Sequence, residues 1–227
     1  MSQTQEEGLS ALLHETRTFA PPEELAKAAN AQPGIYAEAD ADPLAFWESQ
    51  AKRLSWDAPW TDVLEWNLPF AKWFVGGKLN VAVNCVDRHV DAGVGDRVAF
   101  HWEGEPGDTR TITYADLLTM VSQAANGLTE LGVKAGDKVA IYMPMIPETV
   151  VAMLACARLG APHTVVFGGF SADALRGRSL DCDAHFVITA DGGYRRGAAA
   201  ALKPAVDEAV QGCPDVRHVL VDRKSVV

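Results

Sequence analysis

Val139-Ala140-Ile141-Tyr142-Met143, followed by Pro144-Met145-Ile146-Pro147-Glu148, decides the fold of this chain. Five largely apolar residues in a row, with no polar alternation, predict a strand buried on both faces. Pro147 and Glu148 suit the first turn of a helix, one by its fixed φ and the other by its charge at the positive end of the dipole. Val151, Leu154 and Ala155 give that helix an apolar face, and Gly160 is placed to stop it. The cycle then repeats: a strand at 163–167, a helix capped by Ser171 with Asp173 in its first turn, a strand at 185–189, a helix at 202–210 and a strand at 217–221. Apolar strands separated by helices of this length need right-handed crossovers, hence a parallel sheet flanked by helices and α/β architecture.

Upstream of this block the pattern is less regular. Residues 98–102 are a strand candidate, and Thr113 with Asp116 resembles a capping box opening an amphipathic helix. Leu117, Leu118, Val121, Ala124, Ala125, Leu128 and Leu131 form its stripe, and Gly132 ends it. Residues 1–42, broken by Pro21-Pro22 and Pro33-Gly34, read as a loosely structured arm with one short helix. Residues 43–95 read as a helical and aromatic extension. It opens on Leu44, Trp47, Ala51 and Leu54 at helical spacing and closes on a helix at 79–90. Between these, Trp56, Trp60, Trp66, Phe70, Trp73 and Phe74 predict a segment that inserts large side chains into surface grooves. Residues 96–227 are the incomplete α/β subdomain.

Composition narrows the function. The chain has 227 residues, 48% hydrophobic and 22% charged, with a formal charge of −10. Residues 1–60 carry four basic and ten acidic side chains. With no run of Lys and Arg, nucleic acid is excluded as an expected partner. The start has no basic region or following apolar stretch, so no secretory signal is expected there. The longest apolar run, 149–157, is too short for a membrane span, and a cytoplasmic location is expected. Cys85, Cys156, Cys182 and Cys213 are too scattered for a zinc or redox motif, and no metal site is expected.

In an open parallel sheet, ligands gather at the carboxyl ends of the strands, beside helix N-termini. Three loops qualify here. Met143 to Pro147 is stiffened by two prolines and reads as structural. Phe167-Gly168-Gly169-Phe170-Ser171 carries two glycines and a helix cap, and so suits either a tight turn or close approach of a ligand. Ala190-Asp191-Gly192-Gly193-Tyr194-Arg195-Arg196-Gly197 reads as a flexible exposed loop. Its paired arginines suit phosphate or a flat ring, or are simply a solvated charge pair. The tips of the last two loops are expected to converge. No G-x-G-x-x-G and no Walker phosphate loop is present. Asp87-Arg88-His89 falls on an expected helix and reads as structural.

Several longer stretches carry a resemblance. They are Trp66 through Asn80 (WNLPFAKWFVGGKLN), Asn84-Cys85-Val86-Asp87-Arg88-His89, Ile112-Thr113-Tyr114, Tyr142 through Glu148 (YMPMIPE), and Gly160 through Gly197 with its FGGFS and DGGYRRG segments. Together, over roughly residues 40–220, the chain resembles the AMP-forming acetyl-coenzyme A synthetases, a family of the adenylate-forming enzymes. The resemblance implies an acetate–CoA ligase that forms acetyl-AMP from acetate and ATP, releases pyrophosphate and passes the acetyl group to coenzyme A.

It also implies that Phe167, Gly168 and Arg195 belong to the coenzyme A nucleotide site. A second arginine, found in some members three positions after the first, is Ala198 here, and Arg196 is its candidate substitute. The ATP phosphate loop, the adenine and acetate residues and the catalytic lysine of the family lie downstream of the matched region. No catalytic residue is therefore assigned, the ATP and magnesium sites are expected to be absent, and this chain alone is expected to be inactive. Two alternatives stand beside this: a non-catalytic remnant serving as a coenzyme A-binding or protein-interaction module that self-associates through an exposed sheet edge, and a synthetase for propionate or another short acid.

Overall fold

The structure, a computed structural model, describes residues 17–223. The starting segment read as lacking a secretory signal lies outside the described residues. Two compact units are present, divided between Ala51 and Lys52. The first holds α1 (Glu23–Ala28), α2 (Gly34–Ala41) and α3 (Pro43–Ala51). Among its described residues the arm forms two short helices where one was expected. Pro33, with φ −52° and ψ −31°, already has helical geometry and leads into the second.

The second unit is built on a parallel sheet of β5 (Val139–Met143), β6 (His163–Phe167), β7 (Phe186–Ala190) and β10 (His218–Asp222). Among the described residues its order is β10-β7-β5-β6, and every pairing is parallel. All five residues of β5 and of β7 are buried, Thr189 being the one polar residue among them.

Alternation sorts the side chains of β5 between two cores. Val139, Ile141 and Met143 face Leu128 of α5 (Tyr114–Glu130) and Ala152, Ala155 and Cys156 of α6 (Pro147–Leu159). Ala140 and Tyr142 face Leu175 of α7 (Ala172–Asp181) and Val206 and Ala209 of α8 (Lys203–Val210). Leu128, Ile141 and Leu175 are essentially inaccessible to water, and truncating any one to Ala would cost about 2–5 kcal/mol.

The local signals act as the sequence implied. Thr113 accepts from the Asp116 N–H while Asp116 accepts from the Thr113 N–H, closing the capping box of α5. Gly160 ends α6 at φ 69°, in the left-handed region. Ser171 Oγ accepts from the Ala174 N–H at the start of α7.

Two segments differ from their sequence reading, and a third gains a partner. The aromatic segment contains a hairpin of β1 (Asp62–Asn67) and β2 (Phe70–Val75), joined by Leu68-Pro69. Trp56, Trp60 and Phe74 pack together beside it, with centroids 5.0–5.7 Å apart. Gly77 is bare because a Cβ there would come within 2.6 Å of the Trp56 ring. The helix expected at 79–90 contains a π-helical stretch, Val83–Asp87, before α4 (Arg88–Asp91), which turns Val86 fully inward. The strand candidate at 98–102 is one arm of a hairpin, β3 (Val98–Glu103) with β4 (Thr109–Thr113).

Candidate functional site

β5 neighbours β6 on one side and β7 on the other, so the chain reverses its direction of travel across the sheet after β6. The loops leaving β5, β6 and β7 therefore meet around one crevice, the position where open α/β sheets bind ligands. A cleft of about 720 Å³ lies there.

The loop after β5 is rigid. The Thr149 hydroxyl donates to the Pro144 carbonyl at 2.7 Å, and the Ile146 N–H donates to the same oxygen at 2.9 Å. The loop after β7 is a hairpin rather than a flexible strip: β8 (Gly192–Arg195) pairs antiparallel with β9 (Ala198–Ala201). Arg196 and Gly197 form its two-residue turn at φ 55° and 78°. Left-handed geometry at both positions matches the twist of the flanking strands.

The hairpin returns Arg195 to the loop after β6. Its guanidinium carbon lies 5.2 Å from the centroid of the Phe167 ring, and Nη1 donates to the Gly169 carbonyl at 3.4 Å. Among the described residues Arg195 forms no ion pair with a carboxylate, and it lines the cleft.

The two glycines after β6 each leave room for a close neighbour. A Cβ at position 168 would sit 2.9 Å from the Met143 carbonyl oxygen and 3.2 Å from Leu202. One at position 169 would strike the Arg195 guanidinium at 2.2 Å. On the other side of the loop, Phe170 meets Phe167 edge-on at 5.7 Å and carries Arg178 over its ring at 4.8 Å. The Tyr142 hydroxyl, reaching up from the sheet, donates to the Phe170 carbonyl at 2.8 Å. Burial raises the Tyr142 pKa, with the Arg195 charge opposing that effect, so the phenol stays protonated and donating at neutral pH.

The β3–β4 hairpin forms the opposite wall. The Trp102 Nε1–H donates to the Met145 carbonyl at 2.7 Å, and Arg110 pairs with Glu148 at 2.7 Å. At the hairpin tip, Glu105 Oε1 accepts from the Gly197 N–H, linking the two walls.

Phe167, Gly168 and Arg195 thus line one cleft, while Arg196 sits on the β8–β9 turn outside its lining. The sequence reading missed Trp102, Glu105 and Arg110. Glu105-Pro106-Gly107 between two strands is a hairpin signal, but nothing in the sequence says that this hairpin crosses to the carboxyl end of β5. Asp87-Arg88-His89 is structural: Arg158 donates to both oxygens of Asp87 at 2.6 and 3.0 Å, Arg88 donates to Asn84, and His89 packs on Tyr114. Cys156 is buried, and desolvation pushes its thiol up to about 12, so it packs as an inert apolar group. Among the described residues no helix is long and apolar enough to cross a membrane.

Residues 86–227 match the family of AMP-binding enzymes, and residues 33–85 match the acetyl-coenzyme A synthetase N-terminus. The chain is 67% identical over 209 residues to the acetyl-coenzyme A synthetase of Mycolicibacterium smegmatis, covering 91% of this chain and 22% of that protein. It is 64% identical over 220 residues to that of Streptomyces avermitilis, covering 96% of this chain and 34% of the relative. Among solved structures it resembles acetoacetyl-CoA synthetase from Streptomyces lividans, with a TM-score of 0.75 and 26% identity over 93% of this chain and 32% of that one. The chain therefore spans about a third of the length of these relatives or less. With one family match covering most of the sheet-bearing unit and the other the segment before it, the chain belongs to the AMP-binding enzymes and carries the N-terminal segment of the acetyl-coenzyme A synthetases.

Proposed function

We propose that this chain is the N-terminal portion of an acetate–CoA ligase and contributes part of its coenzyme A site. The whole enzyme would convert ATP, acetate and coenzyme A to acetyl-CoA, AMP and pyrophosphate through acetyl-AMP, with magnesium on the nucleotide, in the cytoplasm. The observation that carries the reading is Arg195, a guanidinium without a carboxylate partner among the described residues, held over the exposed Phe167 ring at the mouth of the crevice. A guanidinium binds phosphate through paired N–H donors, and an exposed ring offers a flat base a stacking surface. Gly168 supports the pair by letting the loop close on Met143 and Leu202. Arg196, two residues short of the alanine at position 198, is the reserve cation on the turn.

Adenylation needs cations and donors aimed at the reacting phosphorus. No residue of this chain is assigned to that task, so residues 1–227 are expected to show no acetate-dependent ATP–pyrophosphate exchange; clear exchange would refute this. Titration calorimetry of the chain with coenzyme A, with Arg195→Ala as control, tests the binding role itself.

A second reading is favoured by β6, which is an edge strand among the described residues and leaves Val165 48% and Phe167 50% exposed. Such an edge is a template for pairing with another strand, which would make the chain an interaction module that self-associates. Sedimentation that depends on concentration, and is abolished by Val165→Lys, would support it.

A further inference from the structure

The β8–β9 hairpin that carries Arg195 is weak by itself. A lone two-stranded hairpin is marginally stable in water. Its second strand is four alanines, all exposed, and alanine is a poor strand former. Its turn also places Arg196 at φ 55°, a region that disfavours any residue with a Cβ. Arg195 adds only a long hydrogen bond to Gly169 and the Phe167 ring contact.

At the turn, one external hold comes from far away in sequence. Glu105, 92 residues earlier at the β3–β4 tip, accepts from the Gly197 N–H, a turn donor with no partner inside the hairpin ladder. A carboxylate acceptor makes this a charge-assisted bond, the stronger kind.

We infer that Glu105 is a positioning residue: by clasping the Gly197 N–H it fixes the β8–β9 hairpin so that the Arg195 guanidinium stays over Phe167 at the cleft. Its consequence for ligand binding rests on the coenzyme A reading above, whereas its geometry does not.

The test uses the ¹⁵N-labelled full chain. The Arg195 Nε–H resonance, shifted by the Phe167 ring and assigned by its loss in Arg195→Lys, reports the guanidinium position, and amide exchange at Gly197 reports the clasp. Glu105→Ala is expected to speed Gly197 exchange roughly tenfold and to move the Arg195 resonance toward its unshifted position. Glu105→Gln keeps an acceptor oxygen and is expected to restore most of both signals. Coenzyme A affinity is expected to fall roughly threefold to tenfold in Glu105→Ala, and no further when that change is added to Arg195→Ala, since one effect acts through the other.

Unchanged Gly197 exchange in Glu105→Ala would overturn the inference. So would faster exchange with an unmoved Arg195 resonance, or equal affinity losses with and without Arg195. If coenzyme A shows no Arg195-dependent binding at all, the coenzyme A reading falls, and the two resonances still decide whether Glu105 positions Arg195.

Discussion

The Arg195 guanidinium lies 5.2 Å from the centroid of the Phe167 ring, although the two residues reach the crevice from opposite sides of β5. This pairing depends on the reversal of strand order after β6. It also depends on a loop backbone stripped of side chains at positions 168 and 169.

The two glycines are expected to separate by consequence. Gly169→Ala meets the end of the flexible Arg195 side chain at 2.2 Å and the Phe167 ring at 2.7 Å, both side-chain atoms at the cleft, so the fold should survive while coenzyme A affinity drops. Gly168→Ala meets the Met143 backbone oxygen at 2.9 Å, and should destabilise the chain by about 1–3 kcal/mol, the usual cost of overpacking. Urea denaturation of both variants, with calorimetry for the first, checks the split.

At the start of α5, Thr113→Ala removes the cap and should cost about 1 kcal/mol. Asp116 adds a pH dependence. The Thr113 hydroxyl and N–H hold its carboxyl below the ordinary 3.8, so its contribution is fully present above that value and is lost as the pH falls through the lower folded pKa. Stability measured from pH 5 down to pH 2 should therefore fall less steeply in Asp116→Asn than in the parent chain.

Asp87 and Arg158 form a two-pronged ion pair with side chains 22% and 23% exposed. Removing one partner strands the other charge in a largely dry site, so Asp87→Asn should cost about 1–3 kcal/mol. The double variant with Arg158→Met should recover part of that loss, and a denaturation cycle measures the coupling.

Much of the fold is legible because local and global signals agree. The runs of β5 and β6, the Thr113–Asp116 box and Gly160 each specify their own element, and the structure places all of them as read. The β8–β9 hairpin was hidden for physical reasons. β9 is all alanine and its turn is Arg-Gly rather than Asn-Gly, so neither strand propensity nor turn chemistry announces it. At the site, strand-end position marked out the loops that carry Phe167, Gly168 and Arg195, and the family resemblance singled out those three residues. Glu105 and Trp102 did not, because only tertiary packing brings the β3–β4 hairpin to the carboxyl end of β5.

The most direct test of the central claim is calorimetric titration of coenzyme A into the full chain and into Arg195→Ala. The expected result is saturable binding to the parent chain, weakened about tenfold or more by loss of the Arg195 guanidinium. Equal heats from the two proteins would contradict it.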